Sequence, residues 1–281
     1  MKKRISNFAL LLGVAAVAMF SSCQQSDPEE VLMRQGDIVN FAGRKWDVKG
    51  SVNQVGPGPN FFSKLYEDVW VDENGYLHLN IANRNGNWYS TEVISQDTMG
   101  YGTYTWTIQS DPMSFANNVV LGLFTWDNNT FFTQANSEVD IELSKWGNAE
   151  SEVPLTYSVQ PVNFGPYFDE RSEYANTDSN NLLGITTHQF TWTDSLITWR
   201  SWRGDIDVVN PIMSSWSFDL SNPARIKYEG GQSSNPIIIP APGNTTNARM
   251  NFWTLPHVAV GPENAMEHEV VIRDFRYEPA Q

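Results

Sequence analysis

The chain has 281 residues, and its formal net charge of −14 comes from 32 acidic and 18 basic side chains. A chain this acidic repels phosphate backbones, so nucleic acid is excluded as an expected partner and strongly anionic polymers are disfavoured. The single cysteine excludes an intrachain disulfide. Four histidines lie scattered without the spacing of metal ligands and are expected to be structural: His78, His188, His257 and His268.

The first residues are typical of an export signal. A positive start at residues 2–4 precedes an apolar run over 8–20 and small residues that end at Cys23. This pattern predicts a signal peptide over 1–22, and the apolar run is too short to span a bilayer. Phe20-Ser21-Ser22-Cys23 resembles a lipobox, which implies that Cys23 is the lipidated first residue of a bacterial lipoprotein. The alternative is an ordinary signal peptide with an incidental cysteine.

The residues that follow are polar and acidic, so 23–35 is predicted to be a solvated tether. The stretch resembles the acidic segment behind the lipidated cysteine of Bacteroidetes surface lipoproteins. It implies attachment to the outer membrane, at either the cell surface or the periplasmic face. No linker-like stretch interrupts the remainder, so 36–281 is predicted to form one domain. We expect a monomer.

The pattern from residue 36 onward indicates strands and turns. Residues 70–79 contain two alternating runs around Asn74-Gly75, which is a hairpin signal. Residues 101–108 alternate, and the continuous apolar run 118–126 favours a strand buried on both faces. A second hairpin is predicted over 190–199. Two further strands are predicted at 249–253 and 269–277.

Breakers rich in Gly, Pro and Asn separate these runs at 56–60, 177–181 and 240–247. No amphipathic helix of useful length and no internal repeat is visible. Many short strands at regular spacing predict an all-β sandwich or jelly roll.

Acidic and apolar residues alternate from Ser137 to Leu143. Because every second residue of a strand faces the same side, three carboxylates point together and three apolar side chains point into the core. The carboxylates are those of Glu138, Asp140 and Glu142, and the apolar residues are Val139, Ile141 and Leu143. Crowding raises the pKa of at least one carboxyl, which keeps a proton available, and the three titrate as one group.

Retaining glycosidases use two carboxyl groups about 5–5.5 Å apart, one as nucleophile and one as acid/base. Two residues four apart on a straight strand lie about 13 Å apart at Cα. Glu138 and Glu142 must therefore lean toward each other over Asp140. Taken alone, the pattern leaves open the alternative of a solvated acidic strand face.

The acidic run and the segments around it resemble the segments of one enzyme family. Glu138-Val139-Asp140-Ile141-Glu142 resembles the catalytic strand of glycoside hydrolase family 16, in the form without the extra bulge residue, as in lichenase-like endo-β-glucanases. Further segments resemble that family in the same order, over roughly 40–278: Trp88 to Val93 with Tyr101 to Tyr104, Val119 to Trp126, Met250 to Trp253, and Val270 to Tyr277.

The resemblance implies a concanavalin A-like jelly-roll β-sandwich of two antiparallel sheets and retaining, endo-acting hydrolysis of β-glycosidic bonds in a polysaccharide, with a β-glucan expected. It implies that Glu138 is the nucleophile, Glu142 the acid/base and Asp140 their assistant. It also implies a set of residues that contact the sugar in or beside the cleft: Glu92, Phe124, Trp126, Asn251 and Trp253. Core packing is the alternative for Phe124.

Some positions depart from the family pattern. Asn136 and Ser137 replace an aromatic and an acidic residue before the nucleophile, and Ile94 replaces an arginine that often follows the residue matched by Glu92. These changes leave the exact polysaccharide open. A non-catalytic glycan-binding lipoprotein and a transglycosylase are the alternative functions.

No cofactor is expected to be required, although some family members contain a structural calcium. The resemblance assigns that ion to Asp274 and to the carbonyl of Gly75, since oxygen ligands suit calcium. A simple surface aspartate is the alternative for Asp274.

Overall fold

A computed structural model describes residues 37–162, 171–208, 211–221, 227–228, 231–232, 239–256 and 260–281. The predicted signal peptide, the tether and the lipidation site at Cys23 lie outside these residues, as does His257. Within the described ranges, none of the helices is long and apolar enough to cross a membrane.

Strands dominate the described chain. In chain order they are β1 (Ile38–Phe41), β2 (Arg44–Val48), β3 (Phe61–Phe62), β4 (Val69–Val71), β5 (Leu77–Arg84), β6 (Asn87–Ser95), β7 (Gly102–Ser110), β8 (Val119–Trp126), β9 (Val139–Ser144), β10 (Thr156–Val159), β11 (Ser172–Tyr174), β12 (Gly184–Trp192), β13 (Leu196–Arg203), β14 (Ile212–Asp219), β15 (Lys227–Tyr228), β16 (Gly231–Gln232), β17 (Asn247–Thr254) and β18 (His268–Pro279). One α-helical turn, α1 (Phe131–Gln134), and 3₁₀ turns at Pro112–Ser114, Ala135–Ser137 and Ser179–Leu182 complete the described elements.

Apart from β3, which pairs in parallel with β6, and the separate β15–β16 pair, the strands form a jelly-roll sandwich of two antiparallel sheets. The first sheet has the order β11-β10-β9-β8-β17-β6, extended by β2 and β1. The second has the order β4-β5-β18-β7-β12-β13-β14. The β5–β6 hairpin joins them, because Ala82–Arg84 pair with Asn87–Tyr89. The predicted fold class is therefore confirmed.

Apolar residues at alternate strand positions fill the space between the sheets. Trp46 on β2 packs edge-on against Phe275 on β18, with ring centroids 5.2 Å apart. Trp199 on β13 crosses the interface and donates from Nε1 to the backbone carbonyl of Asp140, at 3.0 Å. Tyr157 on β10 donates from its hydroxyl to Ser201 Oγ, at 2.7 Å. The second sheet thus supports β9 from behind.

The elements predicted from hydrophobic alternation are present. The 70–79 hairpin consists of β4 and β5, and the 190–199 hairpin consists of β12 and β13. The apolar run predicted at 118–126 is β8, whose residues are buried up to Trp126. Inside the described ranges, α1 is only four residues long, as expected of a chain without amphipathic helical patterning.

Candidate active site

Three neighbouring strands of the first sheet expose alternate residues on one face. In β8 and β17, Gly122 pairs with Asn251, and Phe124 pairs with Arg249. On the other side of β8, Gly122 pairs with Glu142, and Phe124 pairs with Asp140. Since paired residues of antiparallel strands face the same side, the outward positions of β9, β8 and β17 form one continuous surface.

This surface is the floor of a cleft of about 530 Å³. Every catalytic and sugar-contacting residue expected from the sequence lines it, together with additional residues from the segment after β2, from β8 and the turn after it, and from β17. The described lining residues are Lys49, Val55, Gly56, Pro57, Glu92, Gly122, Phe124, Trp126, Asn128, Glu138, Asp140, Glu142, Arg249, Asn251 and Trp253.

The acidic residues point into the cleft as strand alternation requires. Val139, Ile141 and Leu143 are fully buried in the hydrophobic core. Asp140 is 3 % exposed, whereas Glu138 and Glu142 are partly exposed on either side of it. Glu138 and Asp140 share a side-chain hydrogen bond. This bond acts to raise the pKa of Glu138 and to lower that of Asp140, which favours Glu138 as the member that keeps a proton.

Burial and mutual repulsion raise the pKa of all three carboxyl groups. For Glu138 the causes are burial first, then the charges of Asp140 and Glu142, while the charge of Arg249 opposes the rise. Burial raises the pKa of Asp140 to about 7 despite hydrogen bonds from Ser158 and Gln160. Burial and the charge of Asp140 raise the pKa of Glu142. A cation therefore opposes the charge of Glu138 and leaves that of Glu142 uncompensated among the described groups.

A buried ion triad stands beside the acidic residues. Glu92 is 1 % exposed and accepts from Lys49 Nζ at 2.7 Å and from Arg249 Nη1 at 3.2 Å. A buried carboxylate is stable only when paired, and here two cations share it. Arg249 lies opposite Ile94 in the β17–β6 register. A guanidinium thus reaches Glu92 from β17, although Ile94 stands at the position where the family pattern that the sequence resembles often has arginine.

Aromatic and amide side chains form the rest of the floor. Phe124 is 7 % exposed and packs edge-on against the more exposed Trp126, with centroids 6.4 Å apart. Asn251 Oδ1 is buried and has no hydrogen-bond partner. A Cβ atom at Gly122 would lie 2.4 Å from Asn251 Oδ1, so only glycine leaves space for this amide. Flat aromatic faces with a few unpaired polar atoms suit the apolar faces and the hydroxyl groups of sugars.

Asn136 and Ser137, the two residues before Glu138 that depart from the family pattern, lie in a tight turn. Ala135, Asn136 and Ser137 all have positive φ, at 47°, 61° and 53°. Asn136 donates from Nδ2 to the carbonyl of Asp127 at 3.1 Å, and Ser137 donates from Oγ to the carbonyl of Ala241 at 2.7 Å. Asparagine tolerates this left-handed backbone better than most residues. Asn136 and Ser137 are thus explained by the turn that positions Glu138.

Several site residues were missed by the sequence reasoning. Ser158 and Gln160 on and after β10 donate to Asp140 Oδ2 at 3.1 and 3.3 Å. Lys49, directly after β2, and Arg249, on β17, come from parts of the chain that are distant in sequence. Trp146, which follows β9 with φ of 52°, packs edge-on against Trp253, with centroids 6.5 Å apart. Strand alternation predicts that Arg249 faces the same side as Asn251 and Trp253. Its contact with Glu92 depends on the strand order, which makes β17 and β6 neighbours.

Asp274, the carboxylate expected to bind calcium, is hydrogen-bonded and ion-paired within the chain. Asp274 accepts from Phe275 N and Arg276 Nε and forms an ion pair with Arg276. Calcium needs six to eight oxygen ligands, and no group of three His, Cys, Asp or Glu residues in the described part of the chain could bind a metal ion. The carboxylate expected to bind calcium is thus occupied by a guanidinium.

The described histidines lie away from the cleft. His188 is fully buried, bonds to Thr186 and Ser201 through its two ring nitrogens, and has its pKa lowered by burial to about 3. His78 stacks on Trp70, and His268 contacts Asn264. A second, larger hollow of about 680 Å³ adjoins the cleft at Val55 but contains none of the catalytic candidates.

Comparison with known proteins shows the fold. No family model matches the sequence, and no curated protein matches it. Among solved structures, a Bacillus licheniformis β-glucanase matches with a TM-score of 0.56 and 17 % identity, over 87 % of this chain and 99 % of that chain. A glycoside hydrolase family 16 protein of Bacteroides ovatus, in complex with a G4G4G3G product, matches with a TM-score of 0.56 and 13 % identity, over 86 % and 98 %.

A third match is an immunostimulatory antigen and pseudo β-1,3-glucanase of Mycobacterium tuberculosis. Its TM-score is 0.59 and its identity 15 %, over 88 % of this chain and 100 % of that chain. At such identities the likeness establishes the fold, which is that of the family 16 β-glucanases. Because one fold serves both active and inactive proteins, the function must be argued from the site.

Proposed function

We propose that the protein is a retaining endo-hydrolase of β-glycosidic bonds in a neutral polysaccharide, with a β-glucan as substrate. One observation carries the proposal. Glu138, Asp140 and Glu142 project into one cleft, and Arg249 opposes the charge of Glu138 while no described cation compensates Glu142. The pKa of both groups is raised, and the cation on the Glu138 side is the feature that favours Glu138 as the carboxylate and Glu142 as the acid when one of the two loses its proton.

The reaction proceeds in two displacements. Glu142 gives its proton to the glycosidic oxygen as the bond from that oxygen to the anomeric carbon breaks, and Glu138 forms a bond to the anomeric carbon. Water then attacks the same carbon, loses its proton to Glu142 and releases Glu138. The stereochemistry at the anomeric carbon is retained because it is inverted twice.

Asp140 controls the charge of the nucleophile. The hydrogen bond between the two groups acts to raise the pKa of Glu138 and to lower that of Asp140, so the shared proton lies on Glu138 in the free protein, and the Asp140 pKa of about 7 allows Asp140 to take over that proton at neutral pH when the sugar binds. In that state Asp140 donates to the Glu138 carboxylate, which is the charge-assisted form of the bond. Trp199 Nε1 fixes the backbone of Asp140 from the opposite sheet. Asp140 therefore stabilises Glu138 in its reactive, ionised form.

The substrate class follows from the surface of the cleft. Aromatic side chains and an unpartnered amide oxygen suit an uncharged pyranose chain, and a net charge of −14 disfavours sulfated or uronate-rich chains. Two matching structures are described as a β-glucanase and as a complex with a glucan product. Both descriptions support a β-glucan.

The cellular setting is part of the proposal and rests on sequence alone. We infer a monomeric lipoprotein of the outer membrane, anchored through Cys23, whose tether presents the sandwich to polysaccharide at the cell surface or on the periplasmic face. Metabolic labelling with a palmitate analogue, compared between the native chain and Cys23→Ser, tests the anchor.

A polysaccharide panel tests the activity. Barley β-glucan, laminarin, xyloglucan, agarose and carrageenan are incubated with the protein, and product sizes are measured. We expect short oligosaccharides from a β-glucan, and about a 10³-fold or greater loss of reducing-end release in Glu138→Gln and Glu142→Gln. Glu150→Gln, an exposed glutamate outside the cleft, is the matched control. Near-normal activity in either active-site variant contradicts the assigned roles.

Azide distinguishes the two roles. With an aryl glycoside whose leaving group needs no acid, azide restores Glu142→Ala by attacking the glycosyl-enzyme and gives a β-glycosyl azide. With Glu138→Ala it replaces the nucleophile and gives the α-anomer. The opposite pairing of anomers would reverse the assignment.

A glycan-binding protein without catalysis is the second candidate, because a pseudo β-1,3-glucanase shares the fold. Retained binding to one polymer with no product from any of them would favour it. If products appear but grow longer than the substrate, transfer to sugar rather than to water is the reaction.

A further inference from the structure

The hydroxyl of Thr156 is buried without a hydrogen-bond partner. Thr156 is the first residue of β10 and is 2 % exposed, and its Oγ1 bonds to no other group. Buried hydroxyl groups in folded proteins are almost always paired, because an unpaired one has lost its water without replacement. An orphaned hydroxyl at the edge of a reactive site therefore indicates a partner that is bound in another state of the protein.

The strand register places this hydroxyl beside the proposed acid/base. Thr156 on β10 lies directly opposite Glu142 on β9. Such partners face the same side of an antiparallel sheet, with Cβ atoms about 4.5–5.5 Å apart. A rotation about one side-chain bond is enough to bring a hydroxyl and a carboxylate at this separation into contact.

The next pair along the same strands shows the interaction already made. Ser158 lies opposite Asp140, two residues further along β10, and its Oγ donates to Asp140 Oδ2 at 3.1 Å. β10 thus presents a hydroxyl to each of two acids on β9. The hydroxyl beside Asp140 donates a hydrogen bond to that carboxyl group, whereas the hydroxyl beside Glu142 has no partner.

Glu142 itself lacks a donor. Among the described residues, none donates a hydrogen bond to its carboxyl group. The charged or titratable groups around it are Asp140 on its own strand, Glu138 directly before that strand, Arg249 on β17, Glu92 on β6, Lys49 after β2, and Tyr174 on β11, opposite Thr156. Arg249 and Lys49 both bond to Glu92. An ionised Glu142 would have no described donor to stabilise it.

We propose that Thr156 is a positioning residue, whose Oγ1 donates a hydrogen bond to the Glu142 carboxylate once that group has given its proton to the leaving sugar. The bond directs the carboxylate at the incoming water, whose proton it then accepts. The proposal rests on the hydrolysis proposed above. It adds a specific partner that the ionised state of Glu142 requires and that the protonated state does not.

The test compares Thr156→Val, which removes the hydroxyl and keeps the shape, with Thr156→Ser, which keeps the hydroxyl. The ionisation of Glu142 is followed by NMR of ¹³C-labelled glutamate, with Glu142→Gln used to assign the resonance. We expect the pKa of Glu142 to rise by about one unit in Thr156→Val and to stay close to the native value in Thr156→Ser.

Kinetics gives the second readout. On an aryl glycoside with an activated leaving group, breakdown of the glycosyl-enzyme limits the rate and requires Glu142 as a base. We expect kcat to fall about 5–10-fold in Thr156→Val, with rescue in Thr156→Ser. The alkaline limb of the kcat/KM profile on polysaccharide should move to higher pH in Thr156→Val alone.

The outcomes separate the two proposals. An unchanged Glu142 pKa in Thr156→Val, or equal kinetic losses in both variants, overturns the role of Thr156. If the native protein releases no product from any polysaccharide, the proposed hydrolysis fails, but the NMR titration still shows whether Thr156 donates to Glu142.

Discussion

Arg249 is the residue that makes the acidic cluster asymmetric. It bonds to the buried carboxylate of Glu92, and its charge lowers the pKa of Glu138 against burial and repulsion. Its guanidinium also lies 5.5 Å above the ring of Trp126. The residue therefore links an aromatic group of the cleft floor with the ionisation of Glu138.

Replacing Arg249 should move the acid limb of the activity profile. In Arg249→Met the opposing charge is lost, the pKa of Glu138 rises, and the pH below which this proposed nucleophile is protonated rises with it. We expect kcat/KM near pH 6 to fall about 10–100-fold and to recover in part at higher pH. A pH–rate profile measures this. Arg249→Lys should shift less, and Arg276→Met, which removes an exposed partner of Asp207, should not shift the limb.

For individual residues, the sequence predicts which side of a strand each side chain faces, because that depends only on alternation. The common orientation of Glu138, Asp140 and Glu142 followed from a period of two, and the structure has it. Lys49, Arg249 and Thr156 could not be paired with Glu92 and Glu142 in this way, because their contacts depend on which strands are neighbours and in which register. Neither is encoded within a short segment of the chain.

The turn between β8 and β9 is the element that sets the position of Glu138. Its centre is Asp127, a fully buried carboxylate that accepts hydrogen bonds from Asn129 N, Thr245 N, Thr245 Oγ1 and Thr246 Oγ1. Burial alone would raise the pKa of Asp127, but these donors outweigh burial and lower it. The carboxylate ties the turn to the segment that leads into β17.

Asp127→Asn should therefore destabilise the protein by about 2–3 kcal/mol near neutral pH, since it removes a charged acceptor from several donors. The native pKa is lowered, so the stabilisation is present above the ordinary aspartate pKa and is lost as pH falls through the folded value. Denaturant unfolding at about pH 7 and about pH 3 measures the difference, which should shrink on acidification. Asp194→Asn, in an exposed hairpin turn, should change stability by less than about 0.5 kcal/mol. An equal loss at both pH values would contradict the charge argument.

Local sequence signals predicted strands and hairpins better than they predicted the turns that connect the other strands. The Asn74-Gly75 turn and the break at 193–195 predicted two hairpins, and both formed with the expected strands. The turn with three consecutive positive φ values at 135–137 was missed, because Ala135 and Ser137 have no intrinsic preference for that backbone. Hydrogen bonds to Asp127, at the start of the same connection, and to Ala241, 104 residues away in sequence, impose it.

On the scale of the molecule, the fold and the acidic cluster have opposite effects on stability. The two sheets bury one continuous core, and the Trp199 and Tyr157 hydrogen bonds join them directly beneath β9. That rigid support holds three carboxyl groups with raised pKa values close together. Ionising these groups is easier in the unfolded chain, so the arrangement that allows the proposed chemistry destabilises the native state.

Glu142→Gln should consequently be more stable than the native protein at alkaline pH. The pKa of Glu142 is raised in the folded state, so its contribution to stability is fully present below the ordinary glutamate pKa and is lost as pH rises through the folded value. Glutamine is neutral throughout and avoids that loss. We expect a Tm higher by roughly 2–5 °C at about pH 8 and little difference at about pH 4, measured by calorimetry. Glu150→Gln should show neither effect, and a Glu142→Gln protein that is less stable at both pH values would mean that the glutamate stabilises this fold.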